Sequence, residues 1–137
     1  MAKDTRLIRV AHVLVHMAGH DGMASSKLIG RMLETNPVVV RRMMGLLRNA
    51  GLVQSVAGSR GGWRLGRDLG SITLLAIHRA LLPASIFAID GGSSMSACKV
   101  EQAANDAVGG ALRTADQAFE VALGEVTLAD IRARARI

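Results

Sequence analysis

Three kinds of residue in this sequence could do chemistry. His12, His16 and His20 recur at four-residue spacing, which on a helix puts three imidazoles on one face and can chelate a metal ion. The same spacing suits an ordinary solvated or half-buried face, and we assign no metal to it. The single cysteine, Cys98, precedes Lys99 and the start of a predicted helix. A cation and a helix N-terminus both favour thiolate, which makes Cys98 a candidate thiol sensor acting through a sulfenic acid or an intersubunit disulfide. The plain alternative is an idle cysteine. The third kind is cationic and small polar. Ser25, Ser26 and Lys27 stand where a helix start could hold a phosphate. Asn36, Val38, Arg41 and Arg42 crowd the first two turns of another predicted helix, with Arg48 near its end. Ser59 and Arg60 lie in the run Gly58-Ser59-Arg60-Gly61-Gly62. An arginine can pair bidentately with guanine, and a valine can touch a thymine methyl. Paired carboxylates, a nucleophile elbow and a phosphate loop are all missing. The glycine-rich run lacks the lysine and the strand-to-helix setting of a phosphate loop, so we do not expect an enzyme.

The elements that must carry these residues are legible in the spacing. Leu7, Val10, Ala11, Leu14, Met17 and Ala18 recur every three or four residues, predicting an amphipathic helix over 5–20 that ends at Asp21-Gly22. Ser25 or Ser26 can cap a short second helix through Leu33, with Leu28, Ile29, Met32 and Leu33 apolar. Asn36 followed by Pro37 is a strong helix start, predicting a third helix to Asn49 with Met43, Leu46 and Leu47 toward the core. Residues 52–56 alternate like a strand, residues 58–62 form a turn, and Trp63-Arg64-Leu65 returns. Ser71 can cap a fourth helix from Ile72 to Leu82, stopped by Pro83. An irregular stretch follows over 84–97. A long helix from Val100 to Leu123 comes next, and Thr127 caps a last short helix through Asp130 and Ile131.

Composition narrows the class. At 137 residues, half of them hydrophobic, the chain suits one compact unit rather than a disordered one. Its aromatic residues are Trp63, Phe87 and Phe119, so the core must be aliphatic. The formal net charge is +6, and its placement is uneven. Residues 1–70 hold eleven Lys/Arg against four Asp/Glu, and residues 71–137 hold six against seven. A basic front half implies a polyanionic partner, of which nucleic acid is the commonest. One cysteine excludes an intrachain disulfide. Lys3, Arg6 and Arg9 ahead of an apolar run mimic a signal peptide, but His12 and His16 interrupt the run. No stretch approaches the roughly 18 apolar residues of a membrane span, so the expectation is the cytoplasm, away from membranes.

Helix, helix, capped helix and hairpin is the order of a winged helix-turn-helix. The third helix fits a major groove, the second braces it, and a slender hairpin tip with an arginine reaches an adjacent minor groove. The expected fold is therefore mainly α with a small β-hairpin wing, plus a long C-terminal dimerisation helix. We divide it into a DNA-binding unit over 1–83, a connector or sensor loop over 84–99, and a dimerisation segment over 100–137.

The stretch from Leu46 through Gly51-Leu52-Val53-Gln54-Ser55-Val56, then Gly58 and Gly61-Gly62-Trp63-Arg64-Leu65, resembles the hallmark of the Rrf-two family of bacterial transcriptional regulators. The helix from Ile72 and the ending Thr127-Leu128-Ala129-Asp130-Ile131 are similar too, so the likeness runs from about Arg6 to Ile131. It implies a homodimer whose third helices read a near-palindromic operator on double-stranded DNA, usually for repression. It also implies that the long helices of two copies cross. The seam expected there is Val100, Ala104, Val108, Ala111, Leu112, Ala115 and Phe119, whose small members permit close approach. Many members hold an iron–sulfur cluster on three close cysteines before that helix. Here Cys98 stands alone, so no cluster is expected. Ala57 stands where many members have the wing arginine, and Arg60 comes three residues later. Arg41 stands where cluster-sensing members often have an acid.

Besides a redox signal at Cys98, the chain could answer a small-molecule effector in a pocket lined by Ile86, Phe87, Ile89 and Met95. The competing function is a winged helix that contacts protein or RNA without reading DNA sequence.

Overall fold

The computed structural model describes residues 5–19, 23–82 and 97–137. In chain order they form α1 (Thr5–Ala18), α2 (Ser26–Met32), α3 (Pro37–Asn49), β1 (Val53–Val56), β2 (Gly62–Leu65), a 3-10 turn (Leu69–Ser71), α4 (Leu74–Ala80), α5 (Lys99–Gly124) and α6 (Leu128–Ala135). The mainly helical architecture with one small wing agrees with the expectation from sequence.

α1 is the pivot. Leu7, Val10, Ala11, Leu14 and Met17 are buried as their spacing predicts, but Val13 and Val15 are buried as well, and Ala18 is exposed. A one-sided helix would leave the two valines in water. Here α4, α6 and β2 all pack on α1, so it is covered around most of its girth. The described helix stops at Ala18, short of His20, and Gly19 N–H closes it on His16 O at 3.0 Å. His20, Asp21 and Gly22 lie outside the described residues, as does the whole stretch 83–96.

α2 and α3 have the caps the sequence announces. Ser25 Oγ accepts from Leu28 N at 3.1 Å, and Asn36 Oδ1 accepts from Val39 N at 3.0 Å with Pro37 in the first turn. The inward face of α3 differs from the one expected. Val40, Met44 and Leu47 are buried, whereas Met43 and Leu46 are half-buried. That set follows a four-then-three spacing and meets α2, α4 and β1.

α4 begins two residues later than predicted. Ser71 Oγ donates to Asp68 O at 2.8 Å and closes the 3-10 turn instead of capping a helix. Ile72 stays extended and fully buried because its backbone is used elsewhere. Leu128 N donates to Ile72 O, and Leu74 N donates to Val126 O, both at 2.9 Å, on either side of a Thr73–Thr127 bridge. Thr73 then caps α4 through Ala76 N at 3.0 Å. α4 ends at Ala80, and Leu82, ahead of Pro83, takes a left-handed φ of 50°. α6 extends to Ala135, beyond Ile131, behind a capping box in which Thr127 and Asp130 satisfy each other's backbone. It packs on α1 and the 3-10 turn, which places the C-terminal helix with the front of the molecule rather than with α5.

α5 is different in kind. Its 26 residues make a rod about 39 Å long. Residues 99–108 are exposed throughout, Val100 at 78%. Among the described residues, its second half is seated on its own chain through contacts with α4. Leu123 is buried, Phe119 meets the buried His78 edge-on at 5.6 Å, and Arg79 pairs with Glu120 at 3.5 Å.

Candidate nucleic-acid interface

The turn between α2 and α3 sets how the third helix is presented. Thr35 N donates to Gly30 O at 2.8 Å, and a Cβ added at Gly30 would lie 2.8 Å from the Thr35 carbonyl oxygen. Glu34 takes a left-handed φ of 54° to make the corner. With Val40, Met44 and Leu47 turned inward, the opposite face of α3 is open. Val38 is 60% exposed, and Val39, Arg41, Arg42 and Arg48 are exposed with it.

The wing is an antiparallel hairpin in the register Val53–Leu65, Gln54–Arg64, Ser55–Trp63 and Val56–Gly62. Arg64 Nε donates to Gln54 Oε1 across it at 2.9 Å. Ser59 and Arg60 stand exposed at its tip. The base gains a further pairing that the sequence did not suggest. Ala24, just ahead of α2, exchanges backbone hydrogen bonds with Trp63 at 2.8 and 2.9 Å. Gly62 is required there: its φ is 154°, and a Cβ would lie 2.6 Å from Ala24 O.

Trp63 joins wing and helices. Its ring is buried, its Nε1–H donates to Ser26 Oγ at 3.0 Å, and the Arg48 guanidinium lies 5.9 Å from the ring centroid. Of the phosphate-holding candidates, Ser25 and Ser26 therefore each have a partner within the chain, while Lys27 is exposed. The basic front half is also partly self-directed. Arg9 Nη1 donates to Leu33 O at 3.2 Å, and Arg67 Nη2 to Ala50 O at 3.5 Å, so both close helix C-termini. Sequence reasoning missed Gly30, Ala24 and the roles of Arg9, Arg67 and Trp63. The one usable signal was a lone tryptophan after two glycines, since a buried indole N–H needs an acceptor.

On α5, the expected seam splits into two faces. Val100, Ala104, Val108 and Ala111 are exposed, and Leu112 and Ala115 are half-buried. Phe119 is half-buried against its own chain's His78. Cys98 is exposed immediately before α5, and the backbone amides of Glu101 and Val100 draw its thiol pKa below the ordinary value. His12 and His16 meet edge-on at 4.7 Å, but His20 lies outside the described residues, and no three metal-binding side chains stand together among those described. The effector pocket of Ile86, Phe87, Ile89 and Met95 also lies outside them. No helix of the described residues is long and apolar enough to cross a membrane.

Residues 4–134 match the Rrf2 family model, described as an iron-dependent transcriptional regulator. YwnA of Bacillus subtilis (strain 168), named as an HTH-type transcriptional regulator, is 32% identical over 129 residues, which is 93% of this chain and 95% of that one. A crystal structure described as a DNA-binding protein superposes with a TM-score of 0.76 at 31% identity, covering 92% of this chain and 97% of the other. The IscR structure from T. potens superposes with a TM-score of 0.65 at 25% identity, covering 98% and 88%. The iron in the family's description does not fit this donor set. The chain offers one thiol where a cluster takes several thiolates. The match over nearly the full length, the helix-turn-helix and the wing agree: the chain belongs to the Rrf2 family of winged helix-turn-helix, DNA-binding transcriptional regulators.

Proposed function

We propose that this chain is a repressor that binds a near-palindromic operator as a homodimer, with α3 in the major groove and Arg60 of the wing in the neighbouring minor groove. The observation that carries the reading is the open face of α3. Val38, Arg41 and Arg42 are exposed together on a helix whose other side is locked into the core. A helix of 13 residues is about 20 Å long, enough to lie in one major groove and present its first two turns to base edges. The apolar, alanine-rich face of α5 supplies the surface for a second copy, and a dimer seated on a promoter excludes other proteins from it.

The test is selection of DNA from a random pool by the purified chain, followed by titration of the selected duplex over a range of salt. The reading expects an inverted repeat, and affinity that falls steeply as salt rises. Arg41→Ala or Arg42→Ala should relax the preference at one position of each half-site, by about 1–3 kcal/mol if that arginine reads a guanine. Binding that is uniform across sequences, or stronger to RNA or protein, favours the competing function.

A redox response at Cys98 is the finer part of the proposal, supported by its exposure and lowered thiol pKa. The thiolate attacks one oxygen of hydrogen peroxide and the O–O bond breaks, giving sulfenic acid and hydroxide, which takes a proton from solvent to become water. Peroxide should release wild-type protein from the operator and leave Cys98→Ser bound; equal release removes Cys98 from the account.

A further inference from the structure

A two-stranded hairpin is marginal by itself, so the wing must be held by what it touches. Val53 and Leu65 seat its base on the core, where β1 meets α3 and β2 meets α1. Beyond that packing, three directional contacts among the described residues hold it, and all three meet at Trp63. The backbone of Trp63 pairs with Ala24. Its indole N–H reaches Ser26 Oγ at the start of α2. Its ring carries the guanidinium of Arg48, 5.9 Å from the centroid and within the range of a cation–π contact. Arg48 stands two turns beyond Arg41 on α3, so the helix face that exposes Arg41 also delivers Arg48 to the wing.

We propose that Ser26, Trp63 and Arg48 form a latch that sets the wing's position relative to α3, and that Arg48 acts on Trp63 rather than on a DNA phosphate. Arg48 and Ser26 are then positioning residues. They determine whether Arg60 arrives in the minor groove when Arg41 and Arg42 are in the major groove. The inference rests on the DNA-binding reading above and deepens it. A cation over an indole and an indole N–H on a hydroxyl are short-range and directional, so together they restrain both the distance and the tilt of the hairpin.

Four full-length variants test it, measured against the selected operator: Arg48→Gln, Arg48→Lys, Ser26→Ala and Arg60→Ala, with Arg48→Gln and Arg60→Ala also combined. Arg48 and Ser26 lie at the surface or near it, so the fold should survive both changes, and helical circular dichroism checks this. Arg48→Gln should weaken binding about two- to fivefold. The slope of log affinity against log salt should stay unchanged, whereas loss of one phosphate contact per protomer would make it shallower by about 1.8 for the dimer. Arg48→Lys should recover part of the loss. Arg60→Ala should cost less in the Arg48→Gln background than in wild type, because a loosened wing no longer delivers that arginine. In the free protein, emission from Trp63, the sole tryptophan, should shift in Arg48→Gln and in Ser26→Ala, with faster amide exchange across 53–65.

A shallower salt slope with unchanged emission assigns Arg48 to a phosphate and overturns the latch. Full additivity with Arg60→Ala overturns it as well. If wild type shows no sequence preference, the functional reading fails, and the latch is judged from the free protein alone: unchanged emission and amide exchange overturn it.

Discussion

The front of the molecule and the first half of α5 obey opposite rules. The described residues of 5–19 and 23–82 surround α1 with an aliphatic core in which Leu14, Ile29, Leu47 and Ile72 are fully buried, and α6 returns to complete that core. The cations of this half lie outside, some closing helix ends and others exposed on α3 and at the wing tip. α5 instead presents Val100, Ala104, Val108 and Ala111 to solvent and, among the described residues, seats itself on the core through Phe119 and Leu123. A single chain thus satisfies the front and leaves the rear helix with uncovered apolar surface. Under the proposed function the contrast separates the work: the front holds the surface proposed to read DNA, and the rear offers the surface proposed for a second copy.

Four perturbations sharpen that division, in order of expected effect. Ala111→Arg puts a long cation on the exposed face of α5, where the single chain makes little use of the position. It should split the proposed dimer and lower operator affinity about 100-fold or more, by loss of bivalent binding, with helicity unchanged; sedimentation with a labelled duplex reads both. Phe119 is a poorer site for this test, because its ring also packs on His78 within the chain. Gly30→Val attacks the front instead. The new Cβ would press on the Thr35 carbonyl, and stability should fall by about 2 kcal/mol in chemical denaturation, while the α5 surface is untouched. Arg60→Ala should leave both stability and pairing intact and cost about tenfold in affinity per half-site, the scale of one charge-assisted hydrogen bond.

The smallest effect concerns the capping box that ties α6 to the front. The backbone and hydroxyl of Thr127 hold the Asp130 carboxyl below its usual pKa. A depressed folded-state pKa contributes stability above the unfolded value, and this contribution is lost as pH falls through the folded one. Wild type should therefore lose stability on acidification slightly more than Asp130→Asn does, in parallel thermal melts; identical profiles would remove the cap from the pH response.

Much of this was legible because local signals agreed with the tertiary structure. Asn36-Pro37 marked the start of α3 to the residue, and the alternation of 52–56 with the glycines after it marked the wing, whose first strand is Val53–Val56. The discrepancies arose where a distant segment competed for a group. Ser71 looked like a cap, but Ile72 keeps its backbone for Val126–Leu128, more than fifty residues away, so α4 starts at Leu74. Val13 and Val15 sit off the apolar stripe of α1, yet helices from elsewhere cover them. Ser26 looked available to a phosphate, but the indole of Trp63 claims its oxygen. The two faces of α5 could not be told apart because alanine, valine, leucine and phenylalanine run around much of its girth, and periodicity does not say which stripe meets its own chain.

The account stands on two copies of α3 entering one duplex from the same side. Hydroxyl-radical and major-groove methylation footprints of the selected operator measure this directly. The account predicts two symmetry-related protected patches on one face of the duplex, each with protected guanines, from one dimer per duplex. A single patch, or protection spread evenly along both strands, would contradict it.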